Sequence, residues 1–120
     1  MTPVERQNYA RNLFKEYPDQ FPTEHRELIL HGQITLGMAP FEARLAGGAF
    51  SYKVIADPKR WPPHTNPLDV MWQQSVKPDD SEIWMTFTNK TQYPDEPERQ
   101  FRVHFQRGKA VDIQKLETAP

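Results

Sequence analysis

Twelve prolines divide this chain of 120 residues into short segments, and the segment 57–67 alone contains four of them. Proline fixes φ and has no backbone N–H to donate, so neither a helix interior nor a central strand tolerates it. The chain is therefore restricted to short helices and strands joined by stiff loops. The segment 57–67 is predicted to be one of these loops.

Length and charge exclude several classes of protein. A chain of 120 residues matches the usual size of one domain, so residues 1–120 are predicted to form a single domain. The formal net charge of −1 gives no positive field, and we expect no nucleic acid as a partner. The absence of cysteine excludes disulfides and thiolate metal sites. No stretch approaches the roughly 20 apolar residues of a membrane span, so no transmembrane segment is expected.

The first helix is indicated by a capping box at the start of the chain. Thr2 can cap the helix with Pro3 as its first residue and Glu5 reaching back, and Pro18 ends it. Four apolar residues at three-to-four spacing predict one buried stripe on this helix, namely Tyr9, Leu13, Phe14 and Tyr17.

Two shorter helices are predicted next. One begins at Thr23 and is closed by Gly32, which completes a helical extension over residues 1–32. The other begins at Pro40 and stops at the glycine pair Gly47 and Gly48. From residue 50 onward the period of apolar residues changes to two, which predicts strands.

The strand region is predicted to contain two hairpins after a first strand at 50–56. Segments 70–72 and 83–87 flank a turn at 77–80, where Pro78 favours a type I turn. In the last hairpin, a two-residue turn would place Val103 opposite Asp112 and mix buried and solvated faces. We therefore predict a three-residue loop at 106–108 with Gly108 left-handed, which pairs Val103 with Val111 and Phe101 with Ile113.

These elements predict an α+β fold in which N-terminal helices pack on one face of a small antiparallel β-sheet. The residues predicted to form the covered face of the sheet are Met85, Phe87, Phe101, Val103, Val111 and Ile113.

Catalytic and metal-binding patterns are weak in this sequence. The four histidines, His25, His31, His64 and His104, are scattered, and six-residue spacing on a helix does not suit a shared metal. No nucleophile elbow, phosphate loop or carboxylate pair in an apolar run is present. We therefore predict no enzyme activity, no catalytic residue, no metal site and no cofactor.

The most prominent functional signal is hydrophobic and lies in the proline-rich segment 57–67 and the residues after it. Aromatic and proline side chains in a stiff loop lose little entropy on binding, so they suit a protein partner. The residues predicted to bind that partner are Trp61, Pro62, Pro63, His64, Leu68, Trp72 and Tyr93. The alternative is that the loop folds back and Trp61 closes the end of the core. If the loops around Trp61 and Tyr93 project from one edge, they form a single aromatic rim.

Two segments resemble the BamE/SmpA/OmlA-like domain of small envelope proteins. Residues 34–48 (ITLGMAPFEARLAGG) are similar to the opening of that family, with a leucine, a Gly-Met-Thr motif, a short helix and Leu-Gly. Residues 101–113 (FRVHFQRGKAVDI) are similar to its last hairpin, and together the two segments frame residues 34–116. The resemblance implies helices on one face of a small antiparallel sheet. It also implies an envelope protein, often a lipoprotein, that supports outer-membrane assembly or envelope integrity.

The leading interpretation is a non-enzymatic, envelope-associated protein-binding or scaffold module. It implies a location in the periplasm or at the inner face of the outer membrane if a signal segment was removed, and in the cytoplasm otherwise. The rival interpretation is a cytoplasmic small-ligand-binding protein or minor enzyme with a pocket between helices and sheet, near Trp72, Trp84 and His104.

Overall fold

Four α-helices and a four-stranded sheet make up the computed structural model, which describes residues 2–116. The helices are α1 (Pro3–Glu16), α2 (Thr23–Leu30), α3 (Pro40–Gly47) and α4 (Pro67–Gln73), with a short 3-10 turn at Pro18–Gln20. The strands are β1 (Phe50–Ile55), β2 (Glu82–Asn89), β3 (Arg99–Gln106) and β4 (Lys109–Lys115). The α+β class predicted from the sequence is confirmed.

Helix α1 begins and ends where the sequence predicts, but a different stripe faces inward. The Thr2 hydroxyl accepts a hydrogen bond from the Glu5 N–H at 3.2 Å, as an N-cap should. Ala10 and Phe14 are buried, whereas Tyr9 and Tyr17 are exposed, so the predicted stripe is wrong for both tyrosines. Ala10 and Phe14 lie four residues apart and share one face of the helix. Tyr9 immediately precedes Ala10 in the chain and therefore lies to the side of this face.

Helix α4 replaces a predicted strand. The sequence predicts that the apolar run 70–72 is a strand that pairs with 83–87, and this prediction is wrong. The Asn66 side chain caps the helix by accepting from the Leu68 N–H at 3.0 Å, Pro67 occupies the first turn, and Asp69 adds a favourable negative charge there. These start signals outweigh the strand preference of a short apolar run.

The sheet is an antiparallel meander in the order β1-β2-β3-β4. Strand β1 takes the place beside β2 that the predicted hairpin assigned to 70–72, with Tyr52 opposite Met85 and Val54 opposite Ile83. One edge of the sheet is therefore β1 and the other is β4. The edge of β4 is partly covered, because Ala110 exchanges backbone hydrogen bonds with Gly37 (2.9 Å) and Met38 (2.8 Å).

The register of the last hairpin differs from the prediction. Arg107 and Gly108 form a two-residue turn with φ values of 49° and 76°, as a type I′ turn requires. Val103 pairs with Ile113 and Phe101 with Lys115, so the predicted Val103–Val111 and Phe101–Ile113 pairs are wrong. A bulge beside Val111 adds one residue to β4 and restores the alternation that a two-residue turn would otherwise break.

The core lies between the helices and one face of the sheet. Met85, Phe87, Phe101 and Val103 are fully buried in it, and Ile113 packs against it. Val111 does not belong to this face, because the bulge turns it outward and leaves it 45% exposed. The opposite face of the sheet carries the alternate residues of each strand and is open.

Candidate functional site

A buried carboxylate, Asp79, anchors the proline-rich loop of residues 57–66, which we call the proline loop. Oδ2 of Asp79 accepts hydrogen bonds from Arg60 Nη1 at 2.8 Å, from Trp61 Nε1 at 2.9 Å and from Gln74 Nε2 at 3.1 Å. Oδ1 accepts the Ser81 N–H at 2.7 Å. One carboxylate thus joins the loop to the end of α4 and to the segment before β2.

The charge of Asp79 is stabilised by these donors. Burial opposes ionisation, but hydrogen bonds from the hydroxyl and N–H of Ser81 and from Trp61 and Gln74 outweigh it. Together they hold the pKa of the Asp79 carboxyl well below its usual range. Asp79 is therefore a permanent anion at neutral pH and acts as a structural anchor.

A second carboxylate, Asp57, fixes the first residues of the proline loop. Its oxygens accept the N–H groups of Lys59 at 2.9 Å and Asp80 at 3.2 Å. Its own N–H donates to the Ser81 Oγ at 2.8 Å. Because Ser81 also bonds Asp79, the two carboxylates form one connected network under the loop.

The tip of the proline loop is exposed above this network. Pro62, Pro63 and His64 are all solvent-exposed, and the Thr65 hydroxyl donates to the Pro62 carbonyl at 2.6 Å. His64 has a φ of 67°, the left-handed region that a residue with a side chain rarely adopts. The loop therefore presents a constrained tip on a fixed base.

Trp61 lies between base and tip. Its indole N–H is bound to Asp79, and the Arg60 guanidinium lies 4.7 Å from the ring centroid. The ring is half-buried and lies outside the hydrophobic core cluster. The geometry therefore places Trp61 against the polar network and not in the end of the core.

Leu68 and Trp72 have mainly structural environments. Both are half-buried and pack against the core. The Trp72 ring meets Phe41 and Phe50 edge-on, at centroid distances of 5.8 and 6.1 Å. Of the sequence-predicted binding residues, Trp61, Pro62, Pro63 and His64 are adjacent, while Leu68 and Trp72 lie on the helix that follows.

Tyr93 lies far from this group. It meets Phe101 edge-on at 5.8 Å in the connection between β2 and β3, whereas the proline loop leads to the opposite end of β2. At about 3.4 Å per residue, the eight-residue strand β2 separates its two ends by about 24 Å. The predicted single aromatic rim does not form.

The pocket predicted near Trp72, Trp84 and His104 is not assembled. Trp84 and His104 stack on the open face of the sheet, with ring centroids 4.6 Å apart, and the Lys53 amine lies 5.5 Å from the Trp84 ring. Trp72 lies on the helical side. The sheet itself therefore separates Trp72 from Trp84 and His104.

One largely buried pair was not predicted from the sequence. His25 Nδ1 lies 2.7 Å from Glu42 Oε2, and Glu42 Oε1 accepts the Ala39 N–H at 3.1 Å. The pair joins α2 to the start of α3. Glu42 supplies one half of a capping box by accepting the Ala39 N–H, while Ala39 has no side-chain acceptor for the other half. The available signal was Glu42 itself, because a glutamate at the third residue of a helix often accepts the N–H of the N-cap residue. Its histidine partner lies 17 residues earlier.

Within residues 2–116, no three His, Asp or Glu side chains converge as metal ligands would. The described helices include none with the length and apolar character of a bilayer span. No protein-family model matches the chain, and neither curated proteins nor solved structures give a significant match.

Proposed function

We propose that this protein is a non-catalytic protein-binding module that uses the tip of the proline loop, Pro62, Pro63 and His64, together with the exposed part of Trp61. The observation that carries the proposal is the constrained tip above the Asp79 network. A loop already held in one conformation loses little entropy on binding, so its contacts contribute more of their energy to affinity.

The charges around the tip favour a particular partner surface. Lys59 and Lys77 are exposed near the loop base, and Arg60 donates to the Lys77 carbonyl. The nearby carboxylates Asp57 and Asp79 are buried and already occupied. A partner with an apolar depression for the two prolines and acidic side chains beside it matches this surface.

The envelope setting is supported by the resemblance of residues 34–48 and 101–113 to BamE/SmpA/OmlA-like domains. We propose that the partner is an envelope protein and that the module supports outer-membrane assembly or envelope integrity. The presence of a signal segment upstream in the gene would agree with this location. A true start at Met1 would disagree with it.

The test combines photo-crosslinking with affinity measurement. A photo-reactive amino acid replaces Pro63, cross-linked partners from host cells are identified, and each is purified. Binding of the wild type is then compared with a Pro62→Ala, Pro63→Ala, His64→Ala variant, for which we expect at least about tenfold weaker affinity.

The matched control is Pro94→Ala with Pro97→Ala, because these prolines are exposed in the loop at the far end of the sheet. The control should bind as the wild type does. Equal affinity of the tip variant and the wild type, with urea unfolding unchanged in both, would refute the proposal.

A further inference from the structure

A cleft lies on the helical side of the molecule, between α1, α3 and the first residue of β1. Its volume is about 380 Å³, and it is lined by Arg6, Tyr9, Arg44, Leu45, Gly48, Ala49 and Phe50. This volume falls at the lower end of the range of about 300–1,000 Å³ that small-molecule sites occupy. The cleft lies apart from the proline loop and shares no lining residue with it.

The polar part of the lining is cationic. Arg6 and Arg44 are half-buried, and among residues 2–116 neither side chain forms an ion pair or a hydrogen bond to another side chain. No Asp or Glu is among the residues that line the cleft. Two half-buried guanidiniums that line one cleft, with no carboxylate beside them, favour a site for an anion.

Both guanidiniums are held near the cleft by packing. The Arg44 guanidinium carbon lies 5.8 Å from the Trp72 ring centroid, which restricts it. The Arg6 guanidinium occupies the space beside Gly48 that a side chain there would fill. Gly48 itself closes α3 with a φ of 80°, so glycine suits both the backbone and the space.

The remainder of the lining is apolar. Leu45 is buried, Phe50 packs against the core, and Tyr9 is 40% exposed at the rim. Tyr9 thus leaves part of its ring open to solvent beside Leu45 and Phe50. An apolar floor below two cations suits a molecule with an anionic head and an apolar tail.

We infer that this cleft binds a small amphipathic anion, whose carboxylate or phosphate head lies between Arg6 and Arg44 and whose apolar tail lies along Leu45, Phe50 and Tyr9. The two head groups share the same chemistry, because guanidinium pairs with both in a bidentate manner. Decanoate and decyl phosphate are suitable probes, and 1-decanol is the neutral analogue of the same chain length.

Isothermal titration of the full chain with these probes tests the inference. We expect decanoate or decyl phosphate to bind at least about tenfold more tightly than 1-decanol, and Arg6→Gln or Arg44→Gln to remove about tenfold of that affinity. The tighter of the two anions identifies the head group. Equal binding of the anions and the alcohol by the wild type would overturn the inference without any variant.

Arg11→Gln is the matched control, because Arg11 is exposed on the same helix and does not line the cleft. This variant should leave anion binding unchanged. An equal loss of affinity would mean that the net charge of the protein, and not a contact in the cleft, accounts for the effect. Urea unfolding of each variant separates a lost ligand contact from a lost fold. The proline-tip variant should retain anion binding, so failure of either proposal leaves the other testable.

Discussion

Replacing Asp79 with Asn tests whether the polar network anchors the proline loop. The substitution keeps the shape of the side chain but can place an NH₂ group where Oδ2 accepts from Arg60, Trp61 and Gln74. A hydrogen bond to a charged group contributes about 1.5–3 kcal/mol, and a buried donor left without an acceptor costs about 1–3 kcal/mol. Arg60 and Trp61 are only half-buried and can turn toward water.

The variant is therefore expected to lose about 3 kcal/mol of unfolding free energy, which is a large fraction of the stability of a small domain. Urea denaturation at pH 7, followed by far-UV circular dichroism, measures this loss. Asp80→Asn is the control. Asp80 is adjacent but exposed and pairs with the exposed Arg107, so its loss should be below about 1 kcal/mol.

The pH dependence has a defined sign. The pKa of Asp79 in the folded protein lies below its ordinary value of 3.8, so the unfolded chain binds more protons between those two values. The contribution of Asp79 is complete above pH 3.8 and is lost as the pH falls through the folded value. The difference between wild type and Asp79→Asn should narrow below about pH 4.

Equal losses in Asp79→Asn and Asp80→Asn would refute this reasoning. A difference between wild type and Asp79→Asn that widens toward acid pH would refute it as well. Equal small losses would mean that water satisfies the donors around Oδ2 at little cost. A difference that widens toward acid pH would mean that the folded protein favours the neutral form of Asp79. In both cases an ionised Asp79 would not anchor the loop.

Two further sets of variants test the packing and the register. Gly47→Ala should destabilise the protein by about 1–3 kcal/mol in thermal or urea unfolding, because the new Cβ would lie 2.5 Å from Phe87 Cδ1. This loss should occur even though alanine favours a helix over glycine by about 1 kcal/mol. An unchanged or higher stability would contradict this packing. Val103→Ala should cost about 2 kcal/mol and Val111→Ala less than about 0.5 kcal/mol, whereas similar losses at the two positions would indicate that both are buried and that the bulge is absent.

Helix boundaries were predictable where local chemistry sets them. The Thr2 cap and Gly32, which follows the end of α2, are decided within a few residues, and both are observed as predicted. Helix α3 ends within the predicted glycine pair, with Gly47 as its last residue and Gly48 as its C-cap. Helix α4 has the same kind of start signals in Asn66 and Pro67, but the apolar run that follows them also fits a strand. The place next to β2 that the prediction gave to 70–72 is taken by β1.

The hairpin register depended on a contact from outside the hairpin. Ala110 is held by Gly37 and Met38, which lie more than seventy residues earlier, and the bulge at Val111 lies next to it. No local pattern in 101–113 contains that information, and without the bulge a two-residue turn mixes the buried and solvated faces. The network around Asp79 was equally hidden, because its members come from three separate segments.

The two borders of the sheet have different capacities to accept another strand. To pair with β4, an incoming strand would have to displace Gly37 and Met38, which are hydrogen-bonded to the backbone of Ala110. It would also meet the bulge and the charged side chains of β4, and both features disfavour pairing. Along β1, the exposed residues Tyr52 and Ile55 leave the approach more open. Two copies that pair through β1 would leave only their covered β4 edges exposed to further chains. Strand-to-strand association would therefore stop at a dimer, because a fibre requires an open edge on both sides of each sheet.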